Sequence, residues 1–323
     1  MSSNNEIEQK CFHYYHALPS ELRILVIDEM LPSDRCRFTR CSKLCNKEAK
    51  ASNNYIYSLS MYASFNLLCI TVAYSDPDMY PNQARGYCLE YNDRRGTKTM
   101  IYRFLNRRVI CQQRDFDSST NLHTHCADHF KQLLQQYQDK VKCLSFSGFS
   151  FRNRLRNYDF GIENLNKVQY LFIAVGLDSY PIVSSLRKPL KRLVVGSYVE
   201  NCSQIYQVEE DINLSDSQLT YEEMMQLSAP NVEMVTGHLT EENIHHFITS
   251  WQDGTMEKNI QQYKWVDLRN SNFDLAKFLG FFGRQIGPFE RIEIPLKRKD
   301  GKVAKLSYDP HYPTITFQVE NDE

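Results

Sequence analysis

Val141-Lys142-Cys143-Leu144-Ser145-Phe146 carries the strand pattern on which the predicted fold depends. Its apolar residues stand at the first, fourth and sixth positions, and the same six-residue phrase returns at residues 168–173 and 190–195. Weaker copies start at Val232, Tyr263 and Phe289. The starts are 27, 22, 42, 31 and 26 residues apart. Such a recurrence is typical of stacked repeats in which each unit contributes one strand.

Helical patterns fill several of the gaps between the copies. Thr220-x-x-Glu223 is a capping box that predicts a helix over residues 221–227, and Thr240 starts a helix with Ile244, Phe247 and Trp251 on one face. A further helix is predicted over residues 126–137. Alternating strands and helices resemble an irregular leucine-rich repeat, whose units bury their faces against their neighbours. We expect one such αβ domain over residues 56–320.

The end of the chain predicts a β-hairpin. Residues 291–298 and 302–308 alternate in polarity around Lys299-Asp300-Gly301, and Asp-Gly supplies the positive φ that a tight turn needs. Residues 314–319 alternate as a third strand. The expected fold class is therefore α+β or αβ, closing on a hairpin.

Residues 51–75 carry no charge, which raises the question of a membrane span. Within them Leu59, Met61 and Ala63 alternate with polar residues, the period of a half-buried strand. A spanning helix needs about 20 predominantly apolar residues, and Ser, Asn, Thr and Tyr dilute this stretch. We therefore expect a strand and no membrane partner.

Charge and cysteine usage limit the partners and the compartment. The 38 basic and 39 acidic side chains leave a net charge of −1, whereas proteins that bind nucleic acid usually carry a basic excess. Ten cysteines are scattered without a Cys-x-x-Cys pair, and the first ten residues are polar, which is unlike a signal peptide. We expect no nucleic-acid partner and a reducing compartment, the cytoplasm and/or the nucleus.

A different pattern precedes residue 56. Leu18-Pro19-Ser20 forms an extended entry in which Ser20 is the expected N-cap, and the helix that follows runs to about Met30. Residues 32–34 break this helix and begin a second one, which carries Phe38 and Cys45 on its apolar face. The sequence predicts a flexible start at residues 1–11 and a small helical module at residues 12–55.

The first helix holds more apolar residues than one face can accommodate. Three or four per two turns suffice for a core-facing stripe. This helix carries Leu22, Ile24, Leu25, Val26, Ile27, Met30 and Leu31. Either the helix is buried inside a larger fold, or one side packs within the module and the other is offered to a partner.

The segment Leu18-Pro19-Ser20-Glu21-Leu22, followed by Asp34 and by Ser42-Lys43, resembles the F-box. Cys41-Ser42-Lys43-x-Cys45 and the later stretch 298–304, Arg-Lys-Asp-Gly-Lys-Val-Ala, are similar to nematode F-box proteins with an F-box-associated domain of the FTH or type-2 kind. The resemblance therefore involves both ends of the chain.

That resemblance implies a non-enzymatic substrate receptor of a Skp-cullin-F-box ubiquitin ligase. The F-box would bind a Skp-type adaptor and, through it, a cullin, while the remaining residues would capture a protein substrate. The residues that it implies for adaptor binding, divided between the adaptor interface and the module's own small core, are Leu18, Pro19, Leu22, Ile24, Val26, Ile27 and Met30.

The strand phrases predict where a substrate would bind. If the fourth and sixth residues of each phrase face the core, strand alternation turns the third and fifth outward. The outward positions that we assign to substrate binding are Tyr170, Phe172, Arg192, Trp265, Asp267 and Arg291. The alternative is that the aromatic members are covered, since such sheets can be buried on both faces.

Two other functions stay open. Arg35, Cys36 and Cys45 differ from the usual F-box residues, so the chain could be a repeat-type protein-binding module without ligase engagement. His123, His125 and His129 could instead bind a metal in an enzyme, because imidazoles are zinc ligands and the last two share a helical face. No phosphate-binding loop, nucleophile elbow or dinucleotide fingerprint occurs, so we expect neither a cofactor nor a catalytic residue.

Overall fold

A computed structural model of the chain shows the mixed α/β class that the sequence predicts. The structure divides into two compact units, residues 1–143 and residues 144–323. The division predicted at residue 56 stays a prediction. The structure describes residues 15, 17–30, 38, 41–51, 56–64, 67–74, 86–94, 97–104, 110–137, 140–148, 155, 158–162, 167–173, 177, 179–186, 188–196, 203–215, 219–235, 238–256, 258–266, 268, 273–285 and 291–320. The predicted start at residues 1–11 lies outside them.

In the part of the chain that the structure describes, the first unit begins with two helices and continues with strands. Its elements are α1 (Ser20–Glu29), α2 (Lys43–Ala51), β1 (Ile56–Ala63), β2 (Leu67–Ala73), β3 (Gly86–Arg94), β4 (Thr97–Phe104), β5 (Ile110–Phe116) and α3 (Leu122–Tyr137). The strands pair antiparallel in the order β1-β2-β3-β4-β5. Strands and helices were expected to alternate from residue 56 onward, and this was wrong for the meander.

Strand alternation gives the meander one buried face. Leu59, Met61 and Ala63 of β1 are buried, as their spacing predicted. Helix α3 contacts β1, β2 and β3, and its Phe130 and Leu134 are buried. The apolar side chains of the strands and of α3 therefore form the core of this unit, because both are apolar on the sides that meet.

Strand β6 (Val141–Ser147) spans the division between the units. The elements after it are β7 (Tyr170–Ile173), α4 (Tyr180–Ser184), β8 (Arg192–Val195), a 3₁₀ turn (Ile205–Gln207), β9 (Asp211–Leu214), α5 (Tyr221–Met224), β10 (Asn231–Val235), α6 (Glu241–Gln252), β11 (Gln262–Val266), α7 (Leu275–Gly280), β12 (Ile292–Lys297), β13 (Val303–Asp309) and β14 (Thr314–Val319). Strands β7 to β11 are parallel, and each pairs with the next one along the chain.

The phrase predicts burial correctly in its three strongest copies. Its fourth and sixth residues are buried in β6, β7 and β8. Among the parallel strands, the phrase missed β9, which lies in the 42-residue gap between the copies at Leu190 and Val232. Ile212 and Leu214 supply its buried face, but no apolar residue stands three places before Ile212, so the phrase is incomplete there.

The predicted C-terminal hairpin is confirmed. Strands β12 and β13 pair antiparallel, and Gly301 has φ 98°, the left-handed conformation that this turn requires. Strand β14 follows as the predicted third strand, pairing with β13 on one side and β11 on the other. The copy of the phrase at Phe289 therefore runs into the antiparallel meander and does not extend the parallel ladder.

Helix capping is partly as expected. Thr220 and Glu223 form the predicted capping box of α5, and Thr240 forms one with Asn243 at α6. Ser20 is not the N-cap of α1: that position is occupied by Pro19, and Ser20 is the first helical residue. Pro19 has φ −52° and ψ 151° and makes no side-chain cap hydrogen bond, so this helix begins without the N-cap that the sequence predicted.

Candidate protein-interaction site

Helix α1 carries three large apolar side chains that are exposed to solvent. Leu22, Leu25 and Val26 are 46%, 57% and 39% exposed. Because residues three and four positions apart are neighbours on a helix, these three form one strip, here called the α1 strip. Leu44 is 42% exposed on α2, which packs against α1. Adjacent exposed apolar residues of this kind mark protein-interaction sites.

The other side of α1 belongs to a small core. Ile27 is fully buried in a cluster with Tyr15, Phe38 and Cys45, and Met30 packs against this cluster. The rings of Tyr15 and Phe38 meet edge to face with their centroids 5.0 Å apart. Among the residues that the structure describes, no strand residue belongs to this cluster. The N-terminal segment thus has an apolar core of its own, and the α1 strip is left outside it.

A buried carboxylate connects three segments around that core. Tyr15 donates a hydrogen bond from its hydroxyl to Glu48 Oε2 at 2.8 Å, and Arg23 Nε lies 2.8 Å from Glu48 Oε1. Burial and the bond to this carboxylate raise the pKa of Tyr15 well above its usual range, which keeps the phenol a donor. Glu48 therefore joins α2 to α1 and to the residues before α1.

Removing this carboxylate is expected to loosen the module. Glu48→Ala removes the carboxylate that Arg23 and the Tyr15 hydroxyl share, and should lower the free energy of local unfolding by about 3 kcal/mol. Hydrogen exchange at the amides of α1 and α2 measures this loss. Glu242→Ala, which removes an exposed carboxylate paired with Lys277, is the matched control and should change exchange there by less than about 0.5 kcal/mol. Equal exchange in the two variants would refute the role given to Glu48.

Ser42 fixes the start of α2. The backbone N–H of Cys45 donates to Ser42 Oγ at 3.1 Å, which is the geometry of an N-cap. The Ser-Lys pair that contributes to the F-box resemblance therefore has a structural part here: serine caps the helix, and Cys45, three residues on, is buried in the module core.

The seven residues assigned to adaptor binding do not share one environment. Pro19, Leu22 and Val26 are exposed, while Leu18 and Ile24 are half-buried. Ile27 fills the module core, so it falls on the core side of the predicted division, and Met30 packs against that core as well. Leu25, the most exposed of the three strip residues, was missed. The spacing of residues 22, 25 and 26 was the signal that could have identified it.

The second unit presents the outward positions of its parallel strands in two rows. Strand register places the members of each row side by side on neighbouring strands. The first row is Tyr170, Arg192, Asp211, Asn231 and Gln262, and the second row is Phe172, Val194, Asn213, Glu233 and Lys264. We call these the outer rows. Their members are half-buried or exposed, whereas the intervening residues are buried. The two aromatic rings lie at the β7 end, and charged side chains follow.

Arg192 connects the aromatic and the charged parts of the outer rows. Its guanidinium lies 6.0 Å from the centroid of the Phe172 ring, within cation–π distance, and its Nε is 3.9 Å from Asp211 Oδ2. Farther along the sheet, Lys264 pairs with Glu233 at 3.0 Å. The β7–β8 end therefore offers an aromatic and cationic surface, and the β10–β11 end a paired, polar one.

Trp265 was wrongly assigned to the outward face. Its side chain is fully buried, and its ring centroid lies 5.5 Å from that of Phe247 on helix α6. Register puts Trp265 beside Met234, which is buried as well. The prediction placed the phrase at Tyr263 one residue out of register, because Tyr263 and Trp265 are the two buried residues of β11.

The last two residues assigned to substrate binding do not join the outer rows. Asp267 lies outside the described residues. Arg291 is exposed just before β12 and pairs with Asp309 at 2.7 Å, which holds the pKa of that carboxyl below its usual range. Six strand spacings separate β12 from β8, roughly 29 Å, so Arg291 is distant from Arg192.

The three histidines considered as metal ligands lie on α3. His123 is buried, while His125 and His129 share a face and pack edge to face against Tyr91 of β3. His129 Nδ1 and the Tyr91 hydroxyl are 2.6 Å apart, and burial raises the pKa of that tyrosine. Among the described residues, no group of three or more potential ligands is placed to hold a metal ion.

Comparison with known proteins found no relative of this chain. No family model, no curated protein and no solved structure matches this chain. Within the described part of the chain, no helix has both the length and the apolar character needed to cross a membrane.

Proposed function

We propose that this protein is a non-enzymatic substrate receptor of a Skp-cullin-F-box type ubiquitin ligase. The observation that carries the proposal is the α1 strip, an exposed apolar surface on a helix whose other side fills a separate small core. The F-box resemblance of residues 18–22 falls on the same helix and supplies the partner: a Skp-type adaptor and, through it, a cullin.

Energetics favours a docked partner on this strip. Fully burying a leucine or valine side chain contributes about 1.5–3 kcal/mol, so three side chains supply enough to anchor an interface. Leu44 on α2 extends the apolar surface to the second helix, and exposed Pro19 lies at the entry of α1. A helical adaptor surface would cover these side chains and exclude water from them.

Binding of the purified full chain to a Skp-type adaptor tests the proposal. A one-to-one complex with a dissociation constant of about 1 µM or lower, measured by titration calorimetry, is the expected result. Absence of binding at 100 µM would overturn ligase engagement. The chain would then be a repeat-type protein-binding module, the reading that the unusual Cys45 favours.

The second unit supports a repeat-type substrate domain. Parallel strands β7 to β11 follow one another in both sequence and space, and a short helical segment lies between each pair. We infer that this ladder is an irregular leucine-rich-repeat-like stack, in which each unit buries its face against the next. Its outer rows are the surface proposed to capture a protein substrate, with Tyr170, Phe172 and Arg192 as the main contacts.

Substrate capture is expected to depend on the β7 end of the outer rows. Tyr170→Ala with Phe172→Ala removes two half-buried rings, and should reduce the yield of co-purifying substrate at least tenfold while lowering the free energy of unfolding by less than about 2 kcal/mol. Quantitative mass spectrometry of proteins that co-purify with the chain measures this yield.

Glu233→Gln with Lys264→Gln, at the other end of the rows, is the matched control for this variant. It should retain both substrate and adaptor. If the two double variants lose substrate equally, or if neither loses it, the β7 end is not the substrate site. Adaptor binding should be unchanged in both, because the α1 strip is untouched.

The cysteines agree with a reducing compartment. Those described by the structure are free thiols: Cys41, Cys45, Cys69, Cys88, Cys126 and Cys143. Cys45 and Cys126 are buried and act as small core residues. We therefore place the proposed ligase subunit in the cytoplasm and/or the nucleus.

A further inference from the structure

A small basic pocket lies in the second unit, away from the outer rows. It has a volume of about 240 Å³ and is bounded by the end of α6, the loop after α6, the β12–β13 turn and the end of β14. Trp251 and Ile260 contribute apolar surface. The polar side chains that line it are Lys258, Arg298, Lys302 and Asn259. No acidic side chain belongs to the lining that the structure describes.

Lys258 lies in this pocket without a carboxylate. Its Nζ donates to the carbonyl oxygen of Met224 at 3.3 Å, and it has no ion pair with a described acidic residue. Burial lowers the pKa of Lys258 to about 8, so the ammonium is still charged at neutral pH. The neighbouring lysines differ: Lys299 pairs with Asp253 at 3.0 Å and Lys264 with Glu233 at 3.0 Å. A half-buried ammonium that has no counter-ion among the described residues can bind an anion.

Arg298 is held in place by its surroundings. Its guanidinium lies 6.0 Å from the centroid of the Trp251 ring, and its Nε is 3.1 Å from Asp300 Oδ2. Asp300 also accepts the backbone N–H of Lys302 at 3.2 Å, which orders the turn. The carboxylate of Asp300 lies nearest Nε, which has no hydrogen-bond partner among the described residues, so the guanidinium N–H groups remain available for a second acceptor, in the fork geometry that suits oxyanions.

The charge of the pocket indicates the kind of ligand. Among the described residues, three cations line the pocket and the carboxylate of Asp300 lies beside them, which leaves an excess of two positive charges. A phosphate monoester carries about −1.5 to −2 charges at pH 7 and three strong acceptor oxygens. The volume is below the roughly 300 Å³ at which sites for drug-sized ligands begin, so the pocket fits one small group. We propose that this pocket binds a phosphate group through Lys258, Arg298 and Lys302.

Fluorine NMR of the full chain labelled with 5-fluorotryptophan tests the proposal. The chain has two tryptophans, of which Trp251 lines the pocket and Trp265 does not. Titration with inorganic phosphate at constant ionic strength should shift the Trp251 resonance to saturation and leave the Trp265 resonance in place. An equal shift with chloride or acetate at the same ionic strength would overturn the proposal, since it would show screening alone.

Substitutions connect the shift to the basic side chains. Lys258→Met and Arg298→Met should each weaken phosphate binding at least tenfold, because each removes a charge-assisted hydrogen bond. Lys299→Met, on the same turn but outside the pocket lining, is the matched control and should change binding by less than twofold. Equal losses in Lys258→Met and Lys299→Met would overturn the proposal. Arg298→Lys, which keeps the charge, should recover part of the affinity and controls for altered folding.

The source of the phosphate group is decided by a second titration. Tighter binding of a short phosphoserine peptide than of inorganic phosphate assigns the pocket to a phosphorylated protein side chain. Tighter binding of inorganic phosphate assigns it to the free anion. Both outcomes support a phosphate site, whereas failure of both ligands to bind refutes it. The adaptor titration is independent of this pocket, so failure here leaves the proposed ligase function untouched.

Discussion

Leu22→Asp combined with Leu25→Asp is expected to abolish capture of a Skp-type adaptor. Both side chains are exposed on the α1 strip, so charging them leaves the module core intact while placing two carboxylates in an apolar interface. Hot-spot residues contribute about 2 kcal/mol or more each, and losing both should weaken binding roughly a thousandfold. Titration calorimetry with the purified full chain measures this loss, and circular dichroism should show unchanged helix content.

Two variants make this result interpretable. Tyr312→Asp charges the most exposed large apolar residue of the second unit and should leave adaptor binding unchanged. Ile27→Asp charges the module core, so it should lose helix content and adaptor binding together. If the Leu22 and Leu25 double variant keeps wild-type affinity, the α1 strip is not the adaptor site.

Local patterns were enough to predict much of the fold. The capping box at Thr220, the apolar face of α6 and the turn at Gly301 each depend on residues within a few positions of one another. Interactions of that range are visible in sequence, because helix caps and tight turns are set by local backbone geometry. The hairpin and helices α1 and α6 were accordingly predicted with nearly correct ends, whereas α4 and α7 were not predicted.

Errors arose where two alternatives looked equally apolar. In the fifth copy, residues 263 and 265 and residues 266 and 268 are all apolar or amphipathic, since only the hydroxyl of Tyr263 and the indole N–H of Trp265 are polar. A shift of one residue turns every side chain of a strand to the opposite face of the sheet. The two-residue period alone does not show which set of residues faces the core. Helix α6 decides, because Phe247 packs against Tyr263 and Trp265 from above the sheet.

The same ambiguity affected α1. Its apolar residues surround the helix, so sequence alone could not tell the core side from the free side. Tyr15, Phe38 and Cys45 settle the question by packing on Ile27. The ion pair between Glu48 and Arg23 joins residues that are 25 positions apart in the sequence. Nothing in the local pattern distinguishes this glutamate from a surface residue.

The basic pocket is the clearest example of a site that the sequence alone does not predict. Lys258 and Arg298 are 40 residues apart, and each looks like an ordinary surface cation in sequence. They meet because β14 inserts between β11 and β13, which brings the β12–β13 turn to the end of α6. Long-range strand pairing of this kind depends on the whole sheet, so such a site becomes visible only in the folded chain.

Trp265→Ala is expected to destabilise the second unit by about 3–5 kcal/mol. The ring is fully buried and packs against Phe247 and Tyr263, and its removal leaves a cavity in the aromatic core. Urea unfolding followed by circular dichroism measures the change. Replacing an outward-facing tryptophan would change the free energy of unfolding only slightly. A destabilisation below about 1 kcal/mol would therefore contradict the inward position of Trp265.

Trp265→Phe is the matched control for this cavity. The indole Nε1 of Trp265 is buried and has no hydrogen-bond partner among the described residues. Phenylalanine keeps most of the ring volume and removes that unsatisfied N–H, whose desolvation costs about 1–3 kcal/mol. The two effects offset each other, so Trp265→Phe should change the free energy of unfolding by less than about 1 kcal/mol. A large loss in Trp265→Phe would mean that the N–H is bonded and that polar contacts, more than packing, hold Trp265 in the core.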